Sequence, residues 1–485
     1  MWPEKIDNFG YPTYNTLMIQ SLWRKISTVS PIPAGGLNGP PAAAPTREDM
    51  ARAADRLAVE KARGNSRSSG LRRWSRLLWL LAGPGILVFL GENDAPSMLS
   101  YAATGAQFGI GFFFPFIVVT FLMALVVQEM TVRLGAVTHR GHAELIFDRF
   151  GPFWGVFSML DLLVGNFLTL VTEFIGIVAG LGFFGVPPLV AVGFALAVLL
   201  GAAMTRRYWT WERIVLALAL GNGVFVPVAL MTHPDWHAVG HALISWGPLP
   251  GGLKPNPILL MMADIGATVT PWMLFFQQGA TSDKGLQPRD VSFARWDTLL
   301  GACLAMAFGL AAVLATAPLF VHRISAAHLH NAQFAQAIEP FVGHVGASLF
   351  ALGLVEAGLV AAISISASSA YAFGEVTRQA HSLNRPLREA WPFYLVLFGS
   401  AIAAGGLTLI PGAPLEFIVL IVNVIATLAM PPALLFLLIL ANDRAVMGDK
   451  VNSVWLNIAG IGVTLILILC GIMFGISQVF PGLFG

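Results

Sequence analysis

The chain has 485 residues, of which 56% are hydrophobic and only 11% are charged. A soluble domain carries about 25% charged residues, so this composition excludes a water-soluble fold and indicates an integral membrane protein. The formal net charge of +2 excludes the strongly basic face that a nucleic-acid-binding domain needs.

The chain opens with a polar tail ahead of the first apolar segment. Residues 30–45 read SPIPAGGLNGPPAAAP, and a composition rich in Pro, Gly and Ala is typical of a disordered linker. The tail carries no motif with evident chemistry. We therefore predict a cytoplasmic, largely disordered tail over residues 1–72 and a transmembrane transporter domain over residues 73–480.

Apolar runs of about 20 residues are long enough to cross a bilayer as helices. Eleven such runs lie at about 76–103, 110–134, 153–184, 187–204, 211–232, 256–279, 297–320, 344–374, 391–410, 414–441 and 453–478. The sequence therefore predicts an all-α integral membrane protein with about 11 transmembrane helices.

Basic residues in the connecting loops predict the orientation. Loops after even-numbered spans hold 14 of the 28 Lys and Arg residues, whereas loops after odd-numbered spans hold only Lys254 and Arg323. Because basic loops stay on the cytoplasmic side, we predict a multi-pass protein of the plasma (inner) membrane with a cytoplasmic amino terminus.

The first span carries charge where a membrane helix normally has none. It reads LWLLAGPGILVFLGENDAPSMLSYAATGAQF and contains Glu92, Asp94 and Pro96. A carboxylate at membrane depth costs at least about 2.5 kcal/mol, which makes Asp94 a candidate functional residue. We expect Asp94 to lie at a break between two half-helices, which is tolerated where it is buried in protein or lines a watery cavity. The alternative is a capped helix end near the water surface.

The sixth span is interrupted in the same way. It reads PILLMMADIGATVTPWMLFFQQG and is broken by Thr268, Thr270 and Pro271. Two broken segments in matching positions of two halves point to a transporter site. Since they are five spans apart, the halves have opposite orientations. We predict a five-plus-five inverted repeat, with a first repeat over about 76–232, a second over about 256–441 and an extra helix over about 453–478.

The two breaks offer a predicted metal site made of oxygen atoms. Its members are the Asp94 carboxylate, the Ser97 and Thr270 hydroxyls, and the Ala267 carbonyl that the break beside Pro271 frees. Hard cations such as Mg²⁺, Ca²⁺ and Mn²⁺ prefer oxygen ligands. Because these groups cannot fill six positions around Mg²⁺, the bound ion must keep several waters.

The broken spans lie within a longer ordered series of motifs. Those motifs are GPGILVFLGENDAPSMLSYAATGAQFG, GATVTPWMLFF, and further stretches at 126–144, 173–181, 352–376 and 430–448. Over about residues 77–475, this series resembles the NRAMP divalent-metal transporters. Their first span carries Asp-Pro-Gly-Asn and their sixth usually reads Gly-Ala-x-x-Met-Pro-His-Asn. The resemblance implies a LeuT-type inverted repeat with broken helices 1 and 6.

Departures from the family pattern change the implied chemistry. Asp94 keeps the family's acidic ligand, but Ser97 replaces its Asn. Thr270 replaces the Met that favours transition metals, and Trp272 replaces a His implicated in proton movement. Glu173 matches a family glutamate, whereas Leu170 stands where the family has an Asp three residues earlier.

Four residues are predicted for the substrate pathway or for the surroundings of the ligands. They are Glu92, Glu173, Trp272 and Asn423, the last standing where the family places a metal-facing Gln. With the sulfur lost and the carboxylate kept, the sequence resembles the NRAMP-related magnesium transporter branch. The resemblance implies passage of Mg²⁺ and Mn²⁺ by alternating access without proton coupling.

Three other functions remain open at this point. The chain could be a proton-coupled transporter of Mn²⁺ or transition metals, or a metal sensor that carries nothing. It could also carry a small organic amine, with Asp94 binding the ammonium group and Trp272 offering its ring face.

The sequence contains no phosphate-binding loop or nucleophile constellation, so we predict neither an enzyme nor an ATP-driven pump. We predict no cofactor, because Mg²⁺ or Mn²⁺ is the transported substrate. The predicted partners are the divalent ion and membrane lipid, with no nucleic acid and no evident protein partner.

Overall fold

The computed structural model describes residues 83–205, 208–252, 254–324, 333–411 and 415–480. All of them belong to one compact unit, Ser68–Gly485, while the other unit, Met1–Arg67, lies outside the described residues. The tail predicted over residues 1–72 also lies outside them, so its disorder and its cytoplasmic location stay predictions.

All regular secondary structure in the described ranges is helical. The α-helices are, in chain order, α1 (Pro84–Glu92), α2 (Ala95–Phe108), α3 (Phe113–Thr138), α4 (His142–Phe150), α5 (Pro152–Gly182), α6 (Pro188–Ala203), α7 (Tyr208–Ala219), α8 (Phe225–Met231), α9 (Trp236–Ile244), α10 (Pro255–Gly266), α11 (Pro271–Lys284), α12 (Val291–Val321), α13 (Gln333–Thr377), α14 (Trp391–Thr408), α15 (Leu415–Asn442), α16 (Arg444–Met447) and α17 (Val454–Val479). Short 3₁₀ turns lie at Leu220–Val224, Pro288–Asp290 and Gly448–Lys450.

Eleven helical spans follow from these elements. Nine segments of the described chain are long and apolar enough to cross a membrane, and α6 is a shorter apolar helix. The broken pair α1 and α2 supplies the remaining span, the first in the chain. The sixth span is likewise divided, into α10 and α11. The prediction of an all-α membrane protein with broken first and sixth spans is confirmed.

The eighth span is longer than its sequence indicates. Helix α13 begins at Gln333, whereas the apolar run predicts a start near residue 344. Gly343 has φ 69° and ψ 174° inside α13, which divides it into two helices across a kink. Pro340 lies just before that kink, and proline removes a backbone donor from a helix. The predicted start therefore coincides with the second of the two helices.

The sixth span lies at the centre of the protein and the eleventh at its edge. In the most apolar stretch of Pro255–Lys284, 94% of the residues are buried, against 22% for Val454–Val479. A helix enclosed by protein can hold polar groups away from lipid, because neighbouring helices satisfy them. The last helix is exposed over most of its surface.

Close backbone contacts fix the first span against the seventh. A Cβ added at Gly301 of α12 would lie 2.7 Å from the Ile86 Cα in α1. A Cβ added at Gly105 of α2 would lie 2.3 Å from the Val313 carbonyl oxygen in α12. Membrane helices associate through such small residues because they let the backbones approach closely. Both halves of the broken first span are therefore held by one long helix.

Candidate metal site at the helix breaks

The break in the first span lies at Asn93 and Asp94, between α1 and α2. Asp94 is the N-cap of α2, and its carboxylate accepts a hydrogen bond of 2.8 Å from the Ser97 backbone N–H. Pro96 stands in the first turn of α2, where a missing N–H costs nothing. The proline thus begins the second half-helix, and Asp94 occupies the predicted break.

The break in the sixth span lies between Gly266 and Pro271. Pro271 is the first residue of α11, and Thr270 is its N-cap with extended backbone. The Thr270 side chain does not cap α11; its hydroxyl instead reaches Glu92, with distances of 2.8 Å to Oε1 and 2.9 Å to Oε2. The two breaks therefore meet through Thr270 and Glu92, which are 178 positions apart.

The four predicted ligands lie at the two breaks and are all buried. Asp94 is 2% exposed, Ser97 1%, Thr270 3% and Ala267 0%. The Ala267 carbonyl accepts a hydrogen bond of 2.9 Å from the Tyr101 hydroxyl, so one of its lone pairs is already used. The Ser97 hydroxyl has no hydrogen-bond partner within the described part of the chain.

Glu173 supports the start of the second half-helix. Its Oε2 accepts a hydrogen bond of 3.1 Å from the Ala95 backbone N–H, while its Oε1 has no partner among the described residues. A Cβ added at Gly176, one turn further along α5, would lie 2.2 Å from the Ala95 Cβ. Helix α5 therefore packs directly on the break, and Glu173 holds a free N–H of the first turn of α2.

Asn423 and Trp272 lie near the ligands without contacting Asp94. The Asn423 amide donates a hydrogen bond of 3.0 Å to the Ser100 hydroxyl, one turn beyond Ser97 on α2. Trp272 is 1% exposed, and its ring lies 3.3 Å from where a Cβ of Gly91 would stand. Trp272 therefore forms part of the wall against the first span.

A small cavity lies beside the sixth break. Its volume is about 20 Å³, and its lining includes Asp161 and Thr169 of α5, Thr270 and Trp272 of the sixth span, and Ala426 of α15. Asp161 is partly exposed. Thr270 therefore borders this cavity and also contacts Glu92.

The carboxyl groups at the breaks are not paired with basic side chains. No Lys, Arg or His pairs with Glu92, Asp94 or Glu173 in any salt bridge between described residues. No group of three or more His, Cys, Asp or Glu side chains in the described ranges forms a compact metal cage.

Several polar contacts around the breaks have no counterpart in the sequence predictions. The Asn93 amide donates 2.7 Å to the Ala305 carbonyl, and the Asn222 amide donates 3.1 Å to the Leu90 carbonyl. The Thr104 hydroxyl donates 2.9 Å to the Asp264 carboxylate. In the sequence, each of these residues is recognisable as a polar residue inside an apolar span. The sequence does not show which residue it bonds to.

Comparisons with known proteins agree with this architecture. The sequence matches the family described as natural resistance-associated macrophage protein-like (Nramp) over residues 85–477. It is 27% identical over 401 residues to the divalent metal cation transporter MntH 1 of Pseudomonas aeruginosa, covering 79% of this chain and 88% of that protein.

Solved structures show the same fold. The crystal structure of a manganese transporter of Eremococcus coleocola, bound to an aromatic bis-isothiourea compound, aligns with a TM-score of 0.67 at 22% identity, over 86% of this chain and 90% of that one. The structure of MhsT with L-phenylalanine aligns with a TM-score of 0.53 at 15% identity, over 81% of this chain and 98% of that one. The predicted LeuT-type fold is confirmed.

Proposed function

The chain belongs to the Nramp family, and from this premise we propose that it carries divalent metal cations across the membrane, with Mg²⁺ preferred and Mn²⁺ as a second substrate. The ions pass partly hydrated, by alternating access and without coupling to protons. Under this proposal, the chain functions like the magnesium transporters that are related to the family. Nramp proteins are transporters rather than enzymes.

One observation carries the preference for a hard ion, namely the hydroxyl of Thr270 at the sixth break. It faces the Glu92 carboxylate at 2.8 Å, so the contact across the two breaks is made by oxygen alone. Oxygen ligands suit Mg²⁺, whereas sulfur and imidazole select softer transition metals. An ion that keeps its inner waters also needs few protein ligands, in agreement with the absence of a compact acidic cage among the described residues.

The four ligands have separate roles in this proposal. Asp94 supplies negative charge, held in place by its hydrogen bond from the Ser97 backbone. The Ser97 hydroxyl and the Ala267 carbonyl accept hydrogen bonds from the waters of the ion or bind it directly. Thr270 gives up its bond to Glu92 when it binds the ion. Because each ligand lies at a half-helix end, movement of one half-helix opens the site to one side.

A second candidate is proton-coupled transport of Mn²⁺. It is favoured by the relatives, which are named as divalent metal cation and manganese transporters. Glu173 is the buried acidic group beside Asp94 that such coupling would need, since its Oε1 has no partner among the residues described. The absence of coupling in the first proposal rests on Trp272 and Leu170, which cannot carry protons.

Uptake into proteoliposomes with a pH dye inside the vesicles separates these functions. We expect Mg²⁺ and Mn²⁺ to enter without acidification, each competing with the other. Mn²⁺ entry accompanied by acidification would establish the second candidate in place of the first. Uptake of neither ion, by protein that remains monodisperse in detergent, would exclude both.

A further inference from the structure

Glu92 is a buried carboxylate that accepts a hydrogen bond from the Thr270 hydroxyl and lies close to the Trp272 indole N–H. It is the last residue of α1 and is 0% exposed. Both of its oxygens accept from the same Thr270 hydroxyl, at 2.8 and 2.9 Å. A hydroxyl has one proton to donate, whereas a carboxylate offers about four acceptor sites. Within the described residues, no basic side chain forms an ion pair with Glu92.

Two further unpartnered oxygens lie around the same break. The Ser97 hydroxyl is 1% exposed and has no hydrogen-bond partner among the described residues. Ser97 is in the first turn of α2, and side chains of a helix lean toward its amino terminus, which here is Asp94. The Glu173 Oε1 is also buried without a partner in the described chain. Both side chains lie within interaction distance of the Asp94 carboxyl group. Neighbouring buried carboxyl groups without a basic partner indicate a missing donor or cation.

The helix ends favour a cation on the Glu92 side of the break. The carboxyl end of a half-helix carries partial negative charge, and the amino end carries partial positive charge. Glu92 lies at the carboxyl end of α1, so its charge and the helix dipole add for a cation. Asp94 lies at the amino end of α2, where its carboxylate accepts a hydrogen bond from the Ser97 backbone N–H. A divalent ion between them meets two carboxylates, which match its charge.

We propose that Glu92 is a second substrate-binding carboxylate, and that the hydrated divalent cation is held between Glu92 and Asp94 with Thr270 as a shared neutral ligand. This inference rests on the proposed function and adds to its ligand set. Thr270 donates to Glu92 when the ion is absent and offers its oxygen to the ion or its water when the ion is present. The second charge gives the site its preference for divalent over monovalent cations.

The competing explanation is that Glu92 only ties the two breaks together. In that case its charge is dispensable, and an uncharged group that still bonds to Thr270 replaces it. Glu92→Gln is such a change, because it keeps the size and the hydrogen bond but removes the charge. Glu375→Gln is a matched control, since Glu375 is also a buried glutamate of a spanning helix, and its Oε2 accepts hydrogen bonds from the Ala143 and Glu144 backbone N–H groups at the start of α4.

The experiment measures Mg²⁺ binding as the rise in melting temperature of the purified protein, and Mg²⁺ uptake in proteoliposomes. We expect Glu92→Gln to weaken Mg²⁺ binding by about tenfold or more, because one of two charges facing the ion is lost. Its melting temperature without Mg²⁺ should stay near that of the unmodified protein, and Glu375→Gln should bind Mg²⁺ normally. Glu92→Gln should also let Na⁺ compete more strongly with Mg²⁺.

The outcomes separate this inference from the proposed function. If the unmodified protein carries Mg²⁺ and Glu92→Gln binds it within about twofold of normal, Glu92 is not a ligand and the proposed function stands. If the unmodified protein carries no divalent ion, the proposed function itself fails. If Glu92→Gln does not fold, Glu92→Asp should keep the Mg²⁺-dependent rise in melting temperature and Glu92→Ala should lose it. Equal responses of these two variants would overturn the inference.

Discussion

Acidic groups lie at two levels along the half-helices α1 and α11, and the two levels differ in whether a basic side chain pairs with them. At the breaks, Glu92 and Asp94 are buried with no basic partner in the described chain. At the other end of the same half-helices, the Lys284 ammonium lies 2.8 Å from Glu212, with side chains 0% and 3% exposed. The Tyr208 hydroxyl donates to the other Glu212 oxygen at 3.0 Å.

Asp297 completes the balanced cluster at that end, which is predicted to face the cytoplasm. It accepts hydrogen bonds from the Gly83 and Gly85 backbone N–H groups, at 3.0 and 2.7 Å. A Cβ at Gly83 would lie 2.2 Å from Glu212 and 2.6 Å from the Lys284 ammonium. The start of α1 is thus fastened to α7, α11 and α12 by satisfied charges. Removing one member of a buried ion pair destabilises the protein, because the other charge is left without a partner. A buried carboxyl group within a membrane span that has no basic partner is instead a candidate ligand for a substrate.

The largest expected effect is on transport, and it comes from the carboxyl groups at the breaks, which have no basic partner in the described chain. Asp94→Ala removes a charge facing the ion, and we expect Mg²⁺ uptake to fall to that of protein-free liposomes. The melting temperature in detergent should fall only modestly, because Asp94 caps α2 through its bond from the Ser97 backbone N–H and loss of an N-cap costs about 0.5–2 kcal/mol. Asp449→Ala removes an exposed carboxylate from a surface turn and is the control. Undiminished Mg²⁺ uptake by Asp94→Ala would exclude a metal-binding site at the two breaks.

The ion pair between Lys284 and Glu212 should instead affect the stability of the protein. Lys284→Met leaves the Glu212 carboxylate buried without its partner, and such single changes cost about 3–5 kcal/mol. The double variant Lys284→Met with Glu212→Gln removes both charges and should recover part of that loss. A double-mutant cycle of unfolding in detergent measures the coupling. Additive effects of the two changes would show that the pair does not fasten α11 to α7.

Selectivity among metal ions should depend on Thr270, at the break in the sixth span. Thr270→Met puts a thioether where the hydroxyl meets Glu92, and soft ligands favour soft ions. We expect competition assays to show a shift of about tenfold toward Cd²⁺ or Mn²⁺ and away from Mg²⁺, equivalent to about 1.4 kcal/mol. An unchanged order of ions would exclude Thr270 as a ligand.

The smallest expected effect concerns the carbonyl of Ala267. Tyr101→Phe removes the hydroxyl that donates to it at 2.9 Å, and a buried hydrogen bond of this type contributes about 0.5–1.5 kcal/mol. We expect that loss in the free energy of unfolding, with Mg²⁺ affinity changed by less than about threefold. The freed carbonyl lone pair stays available to the ion or its water. Complete loss of uptake would instead place the Tyr101 hydroxyl in the ion path.

Much of the fold follows from length and hydrophobicity alone. The number of spans and the two breaks are predictable, because a bilayer sets the length of each apolar run and because Asp94 and Pro271 are conspicuous inside apolar sequence. Pro96 lies in the first turn of α2, because proline fits where no N–H is needed.

The amino-acid sequence is enough to predict which residues stand at the breaks and which of them are acidic. Only the folded structure shows which polar groups contact each other: Thr270 with Glu92, Tyr101 with Ala267, and Lys284 with Glu212. Spans that are apolar on every side show no periodicity that marks an inner face, so their rotation, and with it the partner of each polar group, is fixed by packing between helices distant in the chain.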